Sequence, residues 1–285
     1  MPTPRVSILM TTWNRPGFLG QAIESVRAQT FRDWGLIIAD DGSTDNTKAV
    51  VAEWLASSPS RSGQKKDARI KYFNAGHFGR IAKISNAALK QAQSEYVAIL
   101  DDDDYWLDEH KLEEQIKFLD ANRDYVGCGG GFVVVDENGK EKNRFFKPEK
   151  DQAIRQKLLL ANPMVNSTTV FRRAVAEKLG YYDETILQFA DWDFWLKMGR
   201  QGKLYNFQRY FTAYRVWKRG TSFTKQRECA RSGITIVFRY GKFYPNFSLA
   251  VIIAAAFAFY AYIPEFLKRA LNPPLSRLKK FLFQR

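Results

Sequence analysis

Histidine and cysteine are nearly missing from this 285-residue chain, which holds two of each. Cys128 and Cys229 are too few for a disulfide framework and lack metal-ligand spacing, which points to a reducing compartment. His77 and His110 have no nucleophile placed beside them, so a Ser-His-Asp hydrolase is poorly supported. The start, "MPTPRVSILMTTWNRP", contains no long apolar core; the run Val6 to Met10 is strand length, and no secretory signal peptide is expected. Internal repeats and Gly/Ser-rich linkers are also missing. So is a glycine-rich phosphate loop after the first strand, where "TTWNRPG" stands instead; this weighs against a metal-dependent nucleotidyltransferase acting on sugar phosphates. Acidic charge is in deficit: 30 Asp and Glu against 44 Lys and Arg give a formal charge of +14, which favours anionic partners. A nucleic-acid module is disfavoured, because the cations gather toward the C-terminus beside an apolar stretch and no recognised motif appears.

What is present begins with alternation. Short apolar runs at 5–11, 34–40, 68–74 and 96–100 read as strands, and the segments 15–29, 43–56 and 80–92 between them as helices. Each crossover is long enough for a helix, so the pattern predicts an α/β fold with a mostly parallel sheet covered on both faces. Ligands of such sheets bind beyond the carboxyl ends of the strands. Four strands end in polar clusters, "TTWN", "DDGSTD", "NAGHFGR" and "DDDD", which should converge on one edge. Past Leu107 a helix (109–121), a strand with a turn at Glu137 to Lys140, a helix near 150–161, a strand at 165–173, a helix at 190–202 and a strand or strand pair at 203–216 follow.

Asp101 to Asp104 raise the sharpest question, because four adjacent carboxylates repel one another and burying any unpaired is costly. Helix capping needs one aspartate, not four. A hard cation, Mg²⁺ or Mn²⁺, takes one or two carboxylates together with substrate phosphates, and that pairing suits the cationic excess. Asp40 and Asp41 form a second acidic strand end, with Ser43 or Thr44 as the expected cap of the next helix. Trp13 offers a face for a flat base, with Thr11 and Asp41 for its polar edge.

The combination "VSILMTTWNRPGFLGQAIESVRAQTFRDWGLIIADDGSTDNT", "NAGHFGRIAKISNAAL" and "EYVAILDDDDYW" resembles glycosyltransferase family 2, over roughly residues 4–215. The resemblance implies the GT-A fold, a Rossmann-like sheet flanked by helices, and inverting sugar transfer from a nucleotide sugar, usually UDP-linked, to a saccharide or lipid-linked saccharide. It places Thr11, Trp13 and Asp41 at the base, Arg80 and Lys83 at base or phosphate, Asp101 or Asp102 near the ribose, and Asp103 with Asp101 at the metal. In "LQFADWDFWLKM" it makes Asp191 the base that deprotonates the acceptor; Ala190 replaces the family's preceding acid, and Asp193 is the rival. Trp192 and Trp195 are placed for stacking on sugar faces, against the commoner reading of aromatics on a helix as core. Trp217 stands where many relatives carry a histidine, which leaves Lys218 and Arg219 as possible phosphate clamps.

The C-terminal region has its own character. Residues 243–264 carry no charge except Glu265 beyond them, and "LAVIIAAAFAFYAYI" is almost continuously apolar yet short for a span. Basic residues follow, so a helix lying on or dipping into an anionic membrane surface through 243–285 is expected, at the cytoplasmic face of the bacterial inner membrane. A helix packed on the catalytic domain or on a second subunit of a homo-oligomer is the other reading. The division expected is 1–120 for donor binding, 121–232 for acceptor binding and 233–285 for the membrane segment.

Overall fold

In a computed structural model, the described residues are 3–56, 67–217 and 225–264. Strands β1 (Val6–Thr12), β2 (Trp34–Asp40), β3 (Ile70–Asn74) and β4 (Tyr96–Ile99) alternate with helices α1 (Pro16–Arg27), α2 (Thr47–Ala56) and α3 (Ile81–Gln91). β1 lies between β2 and β4, parallel to both, and β3 continues the sheet in parallel on β2. Alternate residues of these strands enter two different cores, as the pleat requires. Val6, Ile8 and Met10 join Leu19, Ile23 and Val26 of α1, whereas Leu9, Ile37 and Val97 join Ala82, Ala88 and Leu89 of α3. A strand apolar on both faces is thereby fully used, each buried aliphatic contributing about 2 kcal/mol.

The second half completes the same sheet. It contains β5 (Tyr105–Trp106), α4 (Lys111–Ala121), β6 (Tyr125–Val135), β7 (Glu141–Phe145), α5 (Asp151–Leu158), a 3-10 turn (Asn166–Thr168), β8 (Val170–Arg172), α6 (Arg173–Lys178), α7 (Ala190–Gly199) and β9 (Lys203–Arg215). The order is β3-β2-β1-β4-β8-β6-β9-β5, with β7 on β6. β8 runs antiparallel to β4 and β6, and β6 pairs in parallel with β9. Glycines in "GCGGGF" allow that pairing: a Cβ on Gly130 would strike the Phe211 ring, and one on Gly131 the Phe146 ring. The segment 203–216 is therefore one long strand, and most of 165–169 is turn rather than strand.

Two helices follow, α8 (Gln226–Tyr240) and α9 (Phe247–Tyr262). The expected boundary after residue 232 falls inside α8. Ile236, Val237 and Tyr240 of α8 and Ala250 of α9 belong to the larger core, so the start of the C-terminal segment is part of the catalytic body.

Candidate active site

The carboxyl ends of β1 to β4 meet at one edge through hydrogen bonds. The Asn14 amide donates to Ser43 Oγ at 2.9 Å, and the Thr44 amide donates to Asn14 Oδ1 at 2.8 Å. Those bonds leave Ser43 and Thr44 tying β1 to β2; the start of α2 is held by Asp45, whose Oδ1 accepts from the Thr47 amide (2.9 Å) and hydroxyl (2.6 Å). Asp40 is sealed inside, accepting from the Ser43 amide and the Tyr72 hydroxyl. Asp41 accepts from the amides of Phe78 (2.6 Å) and Gly79 (3.0 Å) and so folds the loop after β3 over the edge. Gly79 has φ +64°, a left-handed conformation that glycine adopts without strain.

That loop brings His77 onto Trp13, with ring centroids 5.3 Å apart and planes 29° from parallel. Trp13 remains 49% exposed, an open aromatic face beside Asp41. Thr11 lies half-buried within β1, Arg80 begins α3 and donates to the Glu184 carbonyl at 3.3 Å, and Lys83 follows in its first turn. Thr11, Trp13, Asp41, Arg80 and Lys83 thus all belong to the first three strand ends. His77 is the residue that sequence reasoning missed there; a ring in "NAGHFG" was its only signal.

The four aspartates have unlike surroundings. Asp104 is structural: Oδ2 accepts from Ser167 Oγ at 2.5 Å and Oδ1 from the Arg215 amide at 2.8 Å, which pins the loop to β9. Asp101 accepts from Asn166 Nδ2 at 3.1 Å. Asp102 Oδ1 accepts from Arg15 Nη1 at 2.7 Å, and Asp103 Oδ2 from Arg15 Nη1 (3.1 Å) and Trp217 Nε1 (2.9 Å). Burial, reinforced by the Asp103 charge, pushes Asp101 up to about 7; burial pushes Asp102 up to about 6 against the pull of Arg15. Arg215 braces the loop from behind, donating to the carbonyls of Asp103 and Glu137 and to Gln21 Oε1. Asn166, Ser167, Arg15 and Arg215 were not singled out from sequence, although Arg15 adjoins Trp13 and Asn14 in the first cluster.

These residues suit a hard divalent ion. Asp102 Oδ2 is buried with no well-formed hydrogen bond, its neighbour being the Thr12 hydroxyl, which is equally unsatisfied. Carboxylate is the donor type that Mg²⁺ or Mn²⁺ prefers. Among the described residues no three His, Cys, Asp or Glu side chains form a complete ligand set. A site completed by substrate phosphates needs only one or two carboxylates.

Across the cleft, Phe189 in the left-handed region (φ 62°) turns the chain into α7 and sets Asp191 in its first turn. Asp191 Oδ2 accepts from Asn162 Nδ2 at 2.8 Å. Burial raises its pKa, and the Asn162 hydrogen bond and the Trp192 amide oppose that rise. The Asp191 charge reaches Asp101, which it pushes up further. Asp193 is removed as rival base: it is fully buried, and its Oδ1 accepts from Arg239 Nη1 (2.9 Å) and the Tyr240 hydroxyl (3.0 Å), joining α7 to α8.

The two tryptophans expected at the acceptor are core residues. Trp195 is 0% exposed and packs edge-on to Phe171 and Phe194; Trp192 is 8% exposed and donates from Nε1 to the Leu158 carbonyl at 2.6 Å. Neither presents a ring face to a sugar, because α7 is buried on nearly every side. Lys218 and Arg219, named as phosphate clamps, lie outside the described residues, as does the basic tail from residue 265.

The sequence matches the model of glycosyl transferase family 2 over residues 7–180. It is 31% identical over 222 residues to an uncharacterized glycosyltransferase of Methanocaldococcus jannaschii, covering 76% of this chain and 72% of that one. It is also 31% identical over 218 residues to the GalNAc(5)-diNAcBac-PP-undecaprenol beta-1,3-glucosyltransferase of Campylobacter jejuni, covering 75% and 66%. Among solved structures, the mannosyltransferase PcManGT of Pyrobaculum calidifontis, in complex with GDP-Man and Mn²⁺, superposes with a TM-score of 0.64 at 18% identity, covering 97% of this chain and 81% of that one. S. aureus TarS 1-349 in complex with UDP-GlcNAc gives 0.62 at 19% identity, covering 89% and 71%. These likenesses carry the GT-A fold. The family model, the relatives and the strand-end geometry lead to one conclusion: the chain belongs to glycosyltransferase family 2 and is a transferase enzyme.

Proposed function

We propose that the protein moves a sugar from a nucleoside diphosphate donor, UDP foremost, to a hydroxyl of a lipid-linked saccharide, with inversion at the anomeric carbon. The observation that carries this reading is Asp191, a half-buried carboxylate held by Asn162 and close enough to the acidic strand end for its charge to reach Asp101. In this reading the base lies on Trp13 with its polar edge toward Asp41 and Thr11, while Arg80 and Lys83 offer cationic partners for base or phosphate. Asp103 and Asp101 would hold Mg²⁺ or Mn²⁺, with Asp102 beside the ribose. When bound, the ion supplies charge stabilisation for the departing diphosphate. Asp191 takes the proton of the attacking hydroxyl, and its raised pKa improves it as a base near neutrality. TarS bound to UDP-GlcNAc and the undecaprenol-linked substrate in the Campylobacter enzyme's name support the donor and acceptor classes.

The same reading extends to a membrane surface, where lipid-linked acceptors reside. α9 contains no charged residue, and only Ala250 and Ala261 of it are buried. Its 16 residues reach about 24 Å, short of a hydrocarbon core of about 30 Å. Among the described residues no helix is long and apolar enough to cross a membrane. Ile252 and Phe259, with Phe238 of α8, expose apolar surface of the kind that enters a headgroup region in the plane of the cytoplasmic leaflet.

Calorimetric titration with a panel of nucleotide sugars and Mn²⁺ tests the donor half. UDP-sugars are expected to bind with heat that Asp103→Asn weakens and Asp191→Asn leaves near normal. Absence of binding by every nucleotide sugar would overturn the reading.

A further inference from the structure

The donor reading leaves one arrangement unassigned: Arg15 and Trp217 converge on a single oxygen. Arg15 Nη1 lies 2.7 Å from Asp102 Oδ1 and 3.1 Å from Asp103 Oδ2, and Trp217 Nε1 donates to that same Asp103 oxygen at 2.9 Å. The guanidinium also lies 5.2 Å from the Trp217 ring centroid, and Phe18 packs edge-on against the indole at 5.8 Å. The loop after β1, the loop after β4 and the end of β9 are thereby fastened at one point. We propose that Arg15 and Trp217 form a clasp that stands in for the divalent ion at Asp103, and that the ion must displace Arg15 to bind.

An indole N–H only donates, so Trp217 has nothing to offer a cation and serves only to occupy Asp103. A guanidinium hydrogen-bonded to Asp103 stands within a few ångströms of any ion that Asp103 holds, and like charges at that spacing repel strongly. Ion binding therefore competes with an existing pair. Asp102 Oδ2, buried and without a well-formed hydrogen bond, shows that the single guanidinium leaves part of the cluster's demand unmet. Once released, Arg15 is free to meet a diphosphate entering with the ion. This part rests on the proposed nucleotide donor. It makes ion and diphosphate bind together more tightly than either alone.

The test is direct Mn²⁺ binding by the full chain without nucleotide, read from the electron paramagnetic signal of free Mn²⁺. Arg15→Gln is expected to bind Mn²⁺ about tenfold more tightly than the wild type, and Arg15→Lys, which keeps the charge, to stay near wild type. Trp217→Phe is expected to tighten binding by a smaller factor, and to abolish the part of the Mg²⁺-induced change in tryptophan fluorescence that comes from the indole leaving Asp103. Equal or weaker Mn²⁺ binding in Arg15→Gln and Trp217→Phe would overturn the clasp while leaving the metal site standing. No Mn²⁺ binding by the wild type or either variant, even with UDP present, would overturn the metal site and the clasp together.

Discussion

Asn162 donates a hydrogen bond to the Asp191 carboxylate at 2.8 Å, and so the group proposed to receive the acceptor's proton is set by a residue 29 positions upstream in the chain. The bond stabilises the charged form of a carboxylate that burial drives the other way. Asp191→Asn is expected to lower kcat by about 10³-fold or more while donor affinity holds. Asn162→Ala removes the opposing hydrogen bond, so the Asp191 pKa rises further and the acidic limb of the kcat profile moves to higher pH. Activity measured from pH 5 to 9 checks the direction; a shift to lower pH would sink the assignment.

Asp193 is the buried strut between α7 and α8. Asp193→Ala leaves the buried Tyr240 hydroxyl without its acceptor and takes from Arg239 one of two carboxylates, Asp183 being the other, and is expected to cost about 2 kcal/mol. Urea unfolding measures it. Donor affinity of the folded variant should be unchanged, because Asp193 is nowhere near the nucleotide edge.

Lys111 is fully buried, donating from Nζ to Gln115 Oε1 at 2.8 Å, 4.1 Å from the Trp106 ring centroid. Burial lowers its pKa to about 7. The unfolded chain keeps the Lys111 proton up to its ordinary range near 10.4, so between pH 7 and that range unfolding takes up a proton. This residue's contribution to stability therefore climbs with pH across that window, by up to about 1.4 kcal/mol per unit. Lys111→Met is expected to be the more stable protein at pH 7 and to lose that slope, by urea unfolding at pH 7, 8 and 9.

The exposed apolar face should confer membrane binding. Flotation with vesicles containing anionic lipid is expected to carry the full chain upward, and Ile252→Glu with Phe259→Glu to reduce binding at least about tenfold, given about 2 kcal/mol per large apolar side chain. A wild type that ignores such vesicles removes the membrane from the account.

The doubly covered half of the sheet is legible in the sequence because its strands are apolar on both faces and its turns are polar. Periodicity and turn chemistry there agree. The carboxylates at 101–104 are legible as a site but not in their division of labour, since only the fold shows that Asp104 is consumed by Ser167 and Arg215 while Arg15 and Trp217 share Asp103. Asp41 shows the same limit: its carboxylate is engaged by the loop at 78–79, a contact across 37 residues that no local pattern encodes. Trp192 and Trp195 mislead because aromatic rings look alike to a sequence reader whether they face sugar or core. What separates them is how α5, β6, β8 and α8 close around α7, and that is a property of tertiary packing.

The parallel ladder between β6 and β9 joins residues separated by the whole of α5, β8, α6 and α7. A parallel crossover of that length is costly to close, because its loop-closure entropy must be met before any rung rewards it. The proposed proton acceptor on α7 therefore lies within the stretch of chain that this ladder closes, and Arg215 at its end donates to Asp104. A polypeptide cut before residue 203 would lose β9, the partner of both β5 and β6, and with it the Arg215 amide that holds Asp104.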